Sequence, residues 1–328
     1  MEVKAFSTRP DEDPYYNLFS KQYGLELDRD TDGLTMENID SVKGYEGLSL
    51  VLDGNLTDEV LKALADRGVK FIGLRTIGFD GINLKLAEDL GIRISHAAYS
   101  PYSVANYTVM LMLMCIRKAL YILLRSHTAD DSLGNVQGME MQNMTVGVIG
   151  TGRIGKAVIQ NLSGFGCKII AYDIHPSDIP NVEYVPLDEL YHRSDIITLH
   201  TFLSPETRHM LNSKAFAKMK DGVIIINAAR GALIDSSDLI DAIENDKVGG
   251  AGIDCFEGEE EVVRMDHLYD DRVKNHDYIV LKSFQNTIVS PHVAFYTDQA
   301  VSDMVRTSLE SLKQFGQGEE VPLEVTKN

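Results

Sequence analysis

Gly150, Gly152 and Gly155 stand at the spacing G-x-G-x-x-G, and their surroundings give that spacing a purpose. Residues 145–149 ahead of them are β-branched and apolar, as in a buried strand. Lys156 to Phe165 behind them carries apolar residues at helical spacing. In such a strand–turn–helix the first glycine permits the tight turn. The second leaves room for a pyrophosphate, and the third lets the helix pack close to the strand. The helix N-terminus offers free N–H groups to the phosphates. A second strand, 168–172, ends at Asp173, where about 20 residues along a carboxylate accepts the ribose hydroxyls. That carboxylate repels a 2′-phosphate, and Ile174, His175 and Pro176 bring no arginine to hold one. The expected cofactor is therefore NAD rather than NADP. The plainer alternative is a turn whose glycines serve packing only, with Asp173 as a strand-end turn residue.

Three further residues lie at or just beyond expected strand ends, where open α/β sheets bind their ligands. Arg230 follows a strand ending Ile226-Asn227, Glu259 follows one ending at Asp254, and His292 stands in Ser290-Pro291-His292. A guanidinium binds a carboxylate through two parallel hydrogen bonds and polarises an adjacent carbonyl. An imidazole gives or takes a proton near neutral pH. A carboxylate beside it favours the imidazolium and fixes its tautomer. Together the three suit hydride transfer coupled to proton transfer at a 2-oxo acid. Taken singly, each has a bland reading. Arg230 fits a loop salt bridge, Glu259 one of four solvated acids (with Glu257, Glu260 and Glu261), and His292 a helix-end residue bonded to backbone.

Bulk composition narrows the partners. At 328 residues and 44% apolar content, two domains with full cores are expected. A formal charge of −18 argues against nucleic acid and against an anionic membrane surface. An acidic substrate then needs local positive charge inside its pocket, which Arg230 would supply. Cys115, Cys167 and Cys255 form an odd, sparse set with no C-x-x-C, so reduced thiols in a cytoplasmic protein are expected, each a small buried hydrophobe, and no metal site. Met1 to Pro10 has neither a basic head nor an apolar stretch, and the run Val109 to Ile116 is too short to span a bilayer.

The elements that must position these residues alternate. Strands are expected at 3–7, 48–52, 70–74 and 92–95, with helices near 14–23, 57–66 and 84–89. After Ser100-Pro101 one long helix is expected to run towards Arg125, apolar on every face from Val109 to Ile116, and so buried on all sides within the chain or against a second subunit. Residues 129–142 read as a loop. From Thr145 the alternation resumes, with strands at 196–200, 222–226, 250–254 and 287–290 and helices at 186–192, 213–218 and 236–244. The tail 296–316 reads as a helix returning to the first domain. The expected fold class is α/β, with two doubly wound parallel-sheet domains and a ligand cleft between them: 1–100 plus 296–328, flavodoxin-like, for substrate, and 101–295, Rossmann, for NAD.

Nearly the whole chain resembles the D-2-hydroxyacid dehydrogenases. Residues 227–235 (NAARGALID) resemble the arginine motif of that family, 252–259 (GIDCFEGE) its acid motif, and 290–297 (SPHVAFYT) its histidine motif. Residues 75–80 (RTIGFD) resemble its substrate loop, and Tyr99-Ser100-Pro101 its crossover into the long helix. The likeness is strongest to the D-lactate dehydrogenase branch, including the glycopeptide-resistance type. It implies reduction of a small 2-oxo acid by NADH, pyruvate to D-lactate as first reading. The alternatives are larger substrates of the 2-oxoisocaproate or phenylpyruvate kind, or a non-enzymatic NAD-sensing corepressor. It also implies His292 as acid, Glu259 as its partner and Arg230 as substrate anchor, and Glu257, Glu260 and Glu261 as solvent-facing. Substrate contacts fall on Ile77, Gly78, Tyr99, Arg230 and Tyr296. Cofactor contacts fall on Gly150, Gly152, Arg153, Ile154, Gly155, Asp173, Thr201, Phe202, Thr207, Ala228, Ala229, Arg230 and Asp254. A homodimer built on the nucleotide domain is expected. Three positions depart from the pattern: Ala228-Ala229 replaces Thr-Gly, Phe202 replaces a proline, and the strand end 50–53 lacks an aromatic.

Overall fold

The computed structural model describes residues 1–52, 54–263 and 273–326. It divides into two compact units, Met1–Ser100 with Tyr296–Asn328, and Pro101–Phe295. Asp53 and the side chain of Glu261 lie outside the described residues.

The first unit runs β1 (Glu2–Ala5), α1 (Asp13–Tyr23), β2 (Glu26–Arg29), β3 (Gly47–Leu50), α2 (Asp58–Asp66), β4 (Phe71–Leu74), α3 (Leu84–Asp89) and β5 (Arg93–Ser95). Its five strands pair in parallel in the order β2-β1-β3-β4-β5, which is the flavodoxin-like winding. β3 is buried along its whole length, as a parallel strand covered on both faces must be. The C-terminal helix Asp298–Gly316 lies on β3, β4 and α1. It comes so close at Gly73 that a Cβ there would stand 2.7 Å from the Ser308 carbonyl oxygen. The edge strand β2 escapes detection in the sequence because its run Glu-Leu-Asp-Arg is charged and mostly exposed.

Arg75, at the end of β4, is fully buried. Its guanidinium donates to Glu12 Oε1 (3.1 Å), to the Ser49 carbonyl (2.9 Å) and to the Phe6 carbonyl (2.7 Å). It therefore ties α1 and the ends of β1 and β3 to β4, and holds the start of the 75–80 loop.

The second unit runs α4 (Tyr102–Ile116), α5 (Ala119–Ser126), β6 (Thr145–Ile149), α6 (Arg153–Leu162), β7 (Lys168–Tyr172), β8 (Glu183–Tyr184), α7 (Leu187–Arg193), β9 (Ile196–Leu199), α8 (Ser213–Lys218), β10 (Val223–Asn227), α9 (Ser236–Glu244), β11 (Val248–Ile253), α10 (His276–Ser283) and β12 (Thr287–Val289). Seven parallel strands take the order β12-β11-β10-β9-β6-β7-β8, a Rossmann winding whose strand order reverses at β6. The fold class is thus α/β with two doubly wound parallel sheets.

Two expectations about the long helix need correction. It does not run unbroken to Arg125. Lys118 takes a left-handed conformation (φ 50°), and α4 and α5 meet at a bend of 64°. Nor is α4 buried on all sides within the chain: Val104, Ala105, Thr108, Leu111 and Met112 are buried, but Met110 is 39% exposed. Among the described residues no single helix is long and apolar enough to cross a membrane.

Replacing Arg75 with Met takes from the buried Glu12 carboxylate its fully buried partner, leaves it only the contacts from Arg9, and should destabilise the first unit by up to about 3–5 kcal/mol. The double variant Arg75→Met, Glu12→Leu should recover much of that loss, since an apolar pair of similar volume leaves no stranded charge. Urea unfolding followed by circular dichroism measures both. If the single variant is no less stable than an exposed Lys62→Ala control, Arg75 does not organise this unit.

Candidate active site

The glycine turn follows directly from β6. Gly150 is left-handed (φ +91°), and a Cβ on it would stand 2.6 Å from the backbone of His200 at the end of β9. A Cβ on Gly155 would fall 2.0 Å from the Gly150 carbonyl oxygen, so this glycine sets how closely α6 approaches the turn. A Cβ on Gly152 would meet nothing within 4 Å. Gly152 is also the N-cap of α6 and provides no side chain to bond its first N–H groups. Open space over a helix N-terminus is the arrangement a pyrophosphate needs.

Asp173 sits just past β7. Its Oδ2 accepts from the Thr151 N–H (2.6 Å) and Thr151 hydroxyl (2.9 Å), and its Oδ1 from the His175 N–H (2.8 Å). The Tyr184 hydroxyl donates in turn to Thr151 Oγ1 (2.9 Å). Partial burial works against the charged form, but the donors from Thr151 and His175 prevail and hold the carboxyl below its ordinary value. It is a carboxylate at neutral pH, as ribose recognition and rejection of a 2′-phosphate require. His200 is the opposite case. Burial pushes its imidazole down to about 3, so it is neutral, and its Nδ1 has no hydrogen-bond partner within the described residues. These features fit a dinucleotide at this turn.

The other expected cofactor positions differ in exposure. Arg153 is exposed, Ile154 and Thr201 are half-buried, and Phe202 is 80% exposed. The Thr207 hydroxyl donates to the Phe202 carbonyl (2.7 Å) and accepts from the Ser204 N–H (2.8 Å), which closes the 202–207 loop on itself. Ala228 is buried, and the Ala229 N–H donates to Asn227 Oδ1 (3.1 Å). Asp254 is fully buried, with both carboxylate oxygens engaged by Ser290, Val293 and Ala294.

Arg230, Glu259 and His292 follow β10, β11 and β12, three neighbouring strands ending on one side of the sheet. The loops that carry them are tied together. Asn227 Nδ2 donates to the Arg230 carbonyl (2.9 Å) and to the Cys255 carbonyl (3.0 Å). A Cβ on Gly231 would stand 2.1 Å from the Phe256 backbone, so only glycine lets the two loops touch. Asp254 Oδ1 accepts from the Ser290 hydroxyl (2.6 Å) and the Val293 N–H (3.0 Å), and Oδ2 from the Ala294 N–H (2.9 Å). Between those anchors His292 is left-handed (φ 53°), a backbone state rare outside glycine, and its N–H donates to the Asp254 carbonyl (2.9 Å).

His292 Nδ1 lies 2.6 Å from Glu259 Oε1, and the Phe256 N–H donates to Glu259 Oε2 (3.1 Å). The side chains of the pair are 27% and 22% exposed. With Nδ1 facing a carboxylate, Nε2 is the nitrogen left to exchange a proton with a ligand. The Arg230 side chain is half-buried and donates from Nη1 to the Ala229 carbonyl (2.8 Å).

The remaining expected substrate residues belong to the first unit. Ile77, Gly78 and Tyr99 are half-buried, and the Thr76 hydroxyl donates to the Gly78 carbonyl (2.9 Å). Tyr296 is exposed, and the Arg9 guanidinium stands 5.4 Å from its ring centroid.

Three features escape the sequence reading. Phe295, one residue before Tyr296, stands edge-on to the His292 ring with centroids 6.2 Å apart. Cys255 is buried as expected, yet its thiol groups with Glu259 and His292. Glu257 is only partly solvent-facing, its side chain 30% exposed. It pairs with Arg208 and lies 2.8 Å from His209 Nε2, whose Nδ1 is 3.3 Å from Asp235 Oδ2. His209 thus braces the loops after β9, β10 and β11. Glu260 is exposed, as expected.

A dinucleotide turn and a histidine–carboxylate pair on one sheet are the equipment of a nicotinamide-dependent oxidoreductase. Residues 109–294 match the model of the D-isomer specific 2-hydroxyacid dehydrogenase NAD-binding domain, and the chain belongs to that family. It is 41% identical over 319 residues to an aromatic 2-oxoacid reductase of Clostridium sporogenes, covering 96% of each chain. It is 40% identical over 323 residues to a D-lactate dehydrogenase of Lactiplantibacillus plantarum, again over 96% of each. The crystal structure of D-lactate dehydrogenase with NAD+ from Lactobacillus jensenii superposes with a TM-score of 0.87 at 34% identity, covering 99% of both chains. The protein is an NAD-dependent oxidoreductase.

Gly152 separates binding from folding. Gly152→Ala adds a methyl into open space and should leave the thermal midpoint nearly unchanged while weakening NADH binding, read by fluorescence titration. Gly155→Ala drives its methyl into backbone and should lower both. Equal NADH affinity in Gly152→Ala and the parent would remove the pyrophosphate from this turn.

Proposed function

We propose that this chain reduces a small 2-oxo acid to the D-2-hydroxy acid, with pyruvate to D-lactate as the first reading. The observation that carries it is the 2.6 Å pair of His292 and Glu259 on the loops beside the one that presents Arg230. Bound NADH supplies the hydride. Arg230 holds the substrate carboxylate by a planar two-point contact, which an ammonium could not reproduce. Glu259 accepts from Nδ1, so the ring is oriented. Nε2–H is then given to the oxygen at C2 as it becomes a hydroxyl. Ile77, Gly78, Tyr99 and Tyr296 belong to the same reading as substrate contacts.

A second reading, reduction of larger 2-oxo acids, has a specific support. The strand end 50–52 carries Leu-Val-Leu with no aromatic to crowd a substrate side chain. The likeness to the Clostridium sporogenes aromatic 2-oxoacid reductase favours it as well. A panel of 2-oxo acids, from pyruvate through 2-oxoisocaproate to phenylpyruvate, followed by NADH absorbance, decides between the two. One methylene in an apolar pocket shifts selectivity by only ~1–3 kcal/mol, so a graded series is expected rather than a single active acid. His292→Ala should abolish turnover on every acid while NADH binding persists. No turnover with any acid in the parent protein would turn the reading towards an NAD sensor.

We infer a homodimer in the cytoplasm. Its support is a groove of about 560 Å³ on the second unit, lined by Val109, Met110, Leu113, Met114 and Phe165. Beside it α5 exposes Leu123 and Leu124, each 57% accessible. Sedimentation equilibrium should return twice the chain mass, and Leu123→Asp with Met110→Asp should return one. A monomeric parent protein would end this inference.

A further inference from the structure

We propose that Cys255, Glu259 and His292 form a site for a thiophilic divalent cation, zinc being the best fit. One ligand atom from each residue lies within 4.8 Å of the other two, and among the described residues no other group of His, Cys, Asp and Glu is so arranged. Zinc bonds of about 2.0 Å to nitrogen and oxygen and about 2.3 Å to sulfur, in a tetrahedron, separate ligand atoms by roughly 3.3–3.6 Å. The widest separation, at most 4.8 Å, closes and the 2.6 Å contact of His292 Nδ1 with Glu259 Oε1 opens by shifts on the order of 1 Å. One sulfur, one imidazole nitrogen and one carboxylate oxygen select zinc over magnesium or calcium, which take oxygen alone.

The thiol is held in place by its backbone. The Cys255 N–H donates to the Asn227 carbonyl (3.3 Å), and the Cys255 carbonyl accepts from Asn227 Nδ2 (3.0 Å). Cys255 itself is buried, so the site is reached from the side of His292 and Glu259, which remain partly exposed. Three protein ligands with a fourth position open to water is the form of an accessible zinc site rather than a closed structural one. Cys115 and Cys167, the other cysteines, are half-buried rather than buried as expected, and belong to no such group.

Coordination releases the thiol proton to solvent, and the proton between His292 and Glu259 moves to Nε2 of a neutral imidazole or, from an imidazolium, to solvent, with no change of oxidation state. It occupies both members of the pair at once. The cation therefore acts as a reversible inhibitor, a consequence that rests on the proton role proposed above, whereas the binding does not.

Cobalt(II) is the probe. Added to the metal-free, full-length protein, one equivalent should give a thiolate-to-cobalt absorption band that zinc displaces. Cys255→Ala and Cys255→Ser should lose that band, and the double variant Cys115→Ala, Cys167→Ala should keep it. NADH fluorescence titration reports that each variant is folded. Zinc should inhibit the parent protein and EDTA should restore it. In Cys255→Ala, compared with its own metal-free rate, the zinc concentration for half inhibition should rise by at least the roughly tenfold that loss of even an outer-shell partner costs a metal site. No thiolate–cobalt band in the parent protein, or a band that survives in both Cys255 variants, overturns the site. A band with no zinc effect on turnover supports the site and counts against the proton role of His292 instead.

Discussion

The candidate site depends on one buried carboxylate. Asp254 has no access to water, and a polar side chain there is tolerable only because donors meet it. The donors come from Ser290, Val293 and Ala294, on either side of His292. The histidine is thereby held in a left-handed conformation that costs of order 1–3 kcal/mol and persists only where its surroundings over-determine it. Relaxing that backbone would carry the imidazole away from Glu259. Asn227 extends the same constraint by linking the Arg230 loop to the Cys255 backbone, and Gly231 removes the side chain that would hold those loops apart. The chemistry thus sits on a framework of polar bonds, where exposed loops would otherwise wander.

Charge is arranged locally against an unfavourable total. The chain carries −18, yet its proposed ligands are an acid and a dinucleotide. Helix N–H groups at the glycine turn and a half-buried Arg230 provide positive potential where it is needed. His200 beneath the turn adds none, because burial keeps it neutral. Asp173 remains charged through its donors from Thr151 and His175, as the proposed choice of ribose over phosphate needs.

Much of this was legible in the residues. Regular alternation of apolar runs and helical spacing located most strands, since parallel strands buried on both faces read as continuous apolar segments. The edge strands β2 and β8 were not legible, because edges are short, charged and partly exposed. The break at Lys118 was hidden because nothing in a lysine announces a positive φ. At the site, Arg230, Glu259 and His292 stood out by type and by their place after strands. Cys255, Glu257 and His209 did not, because what they meet depends on packing between loops far apart in sequence. Arg75 illustrates the same limit from the other side: it lies in a substrate-loop motif, but its guanidinium is spent inside the first unit.

α5 has eight residues and none of them is buried. A helix of that length is marginal in water by itself, and this one draws little from the core beneath it. In the proposed homodimer its order would be governed by mass action: dilution would fray it first, and what covers its leucines would set the temperature at which it melts.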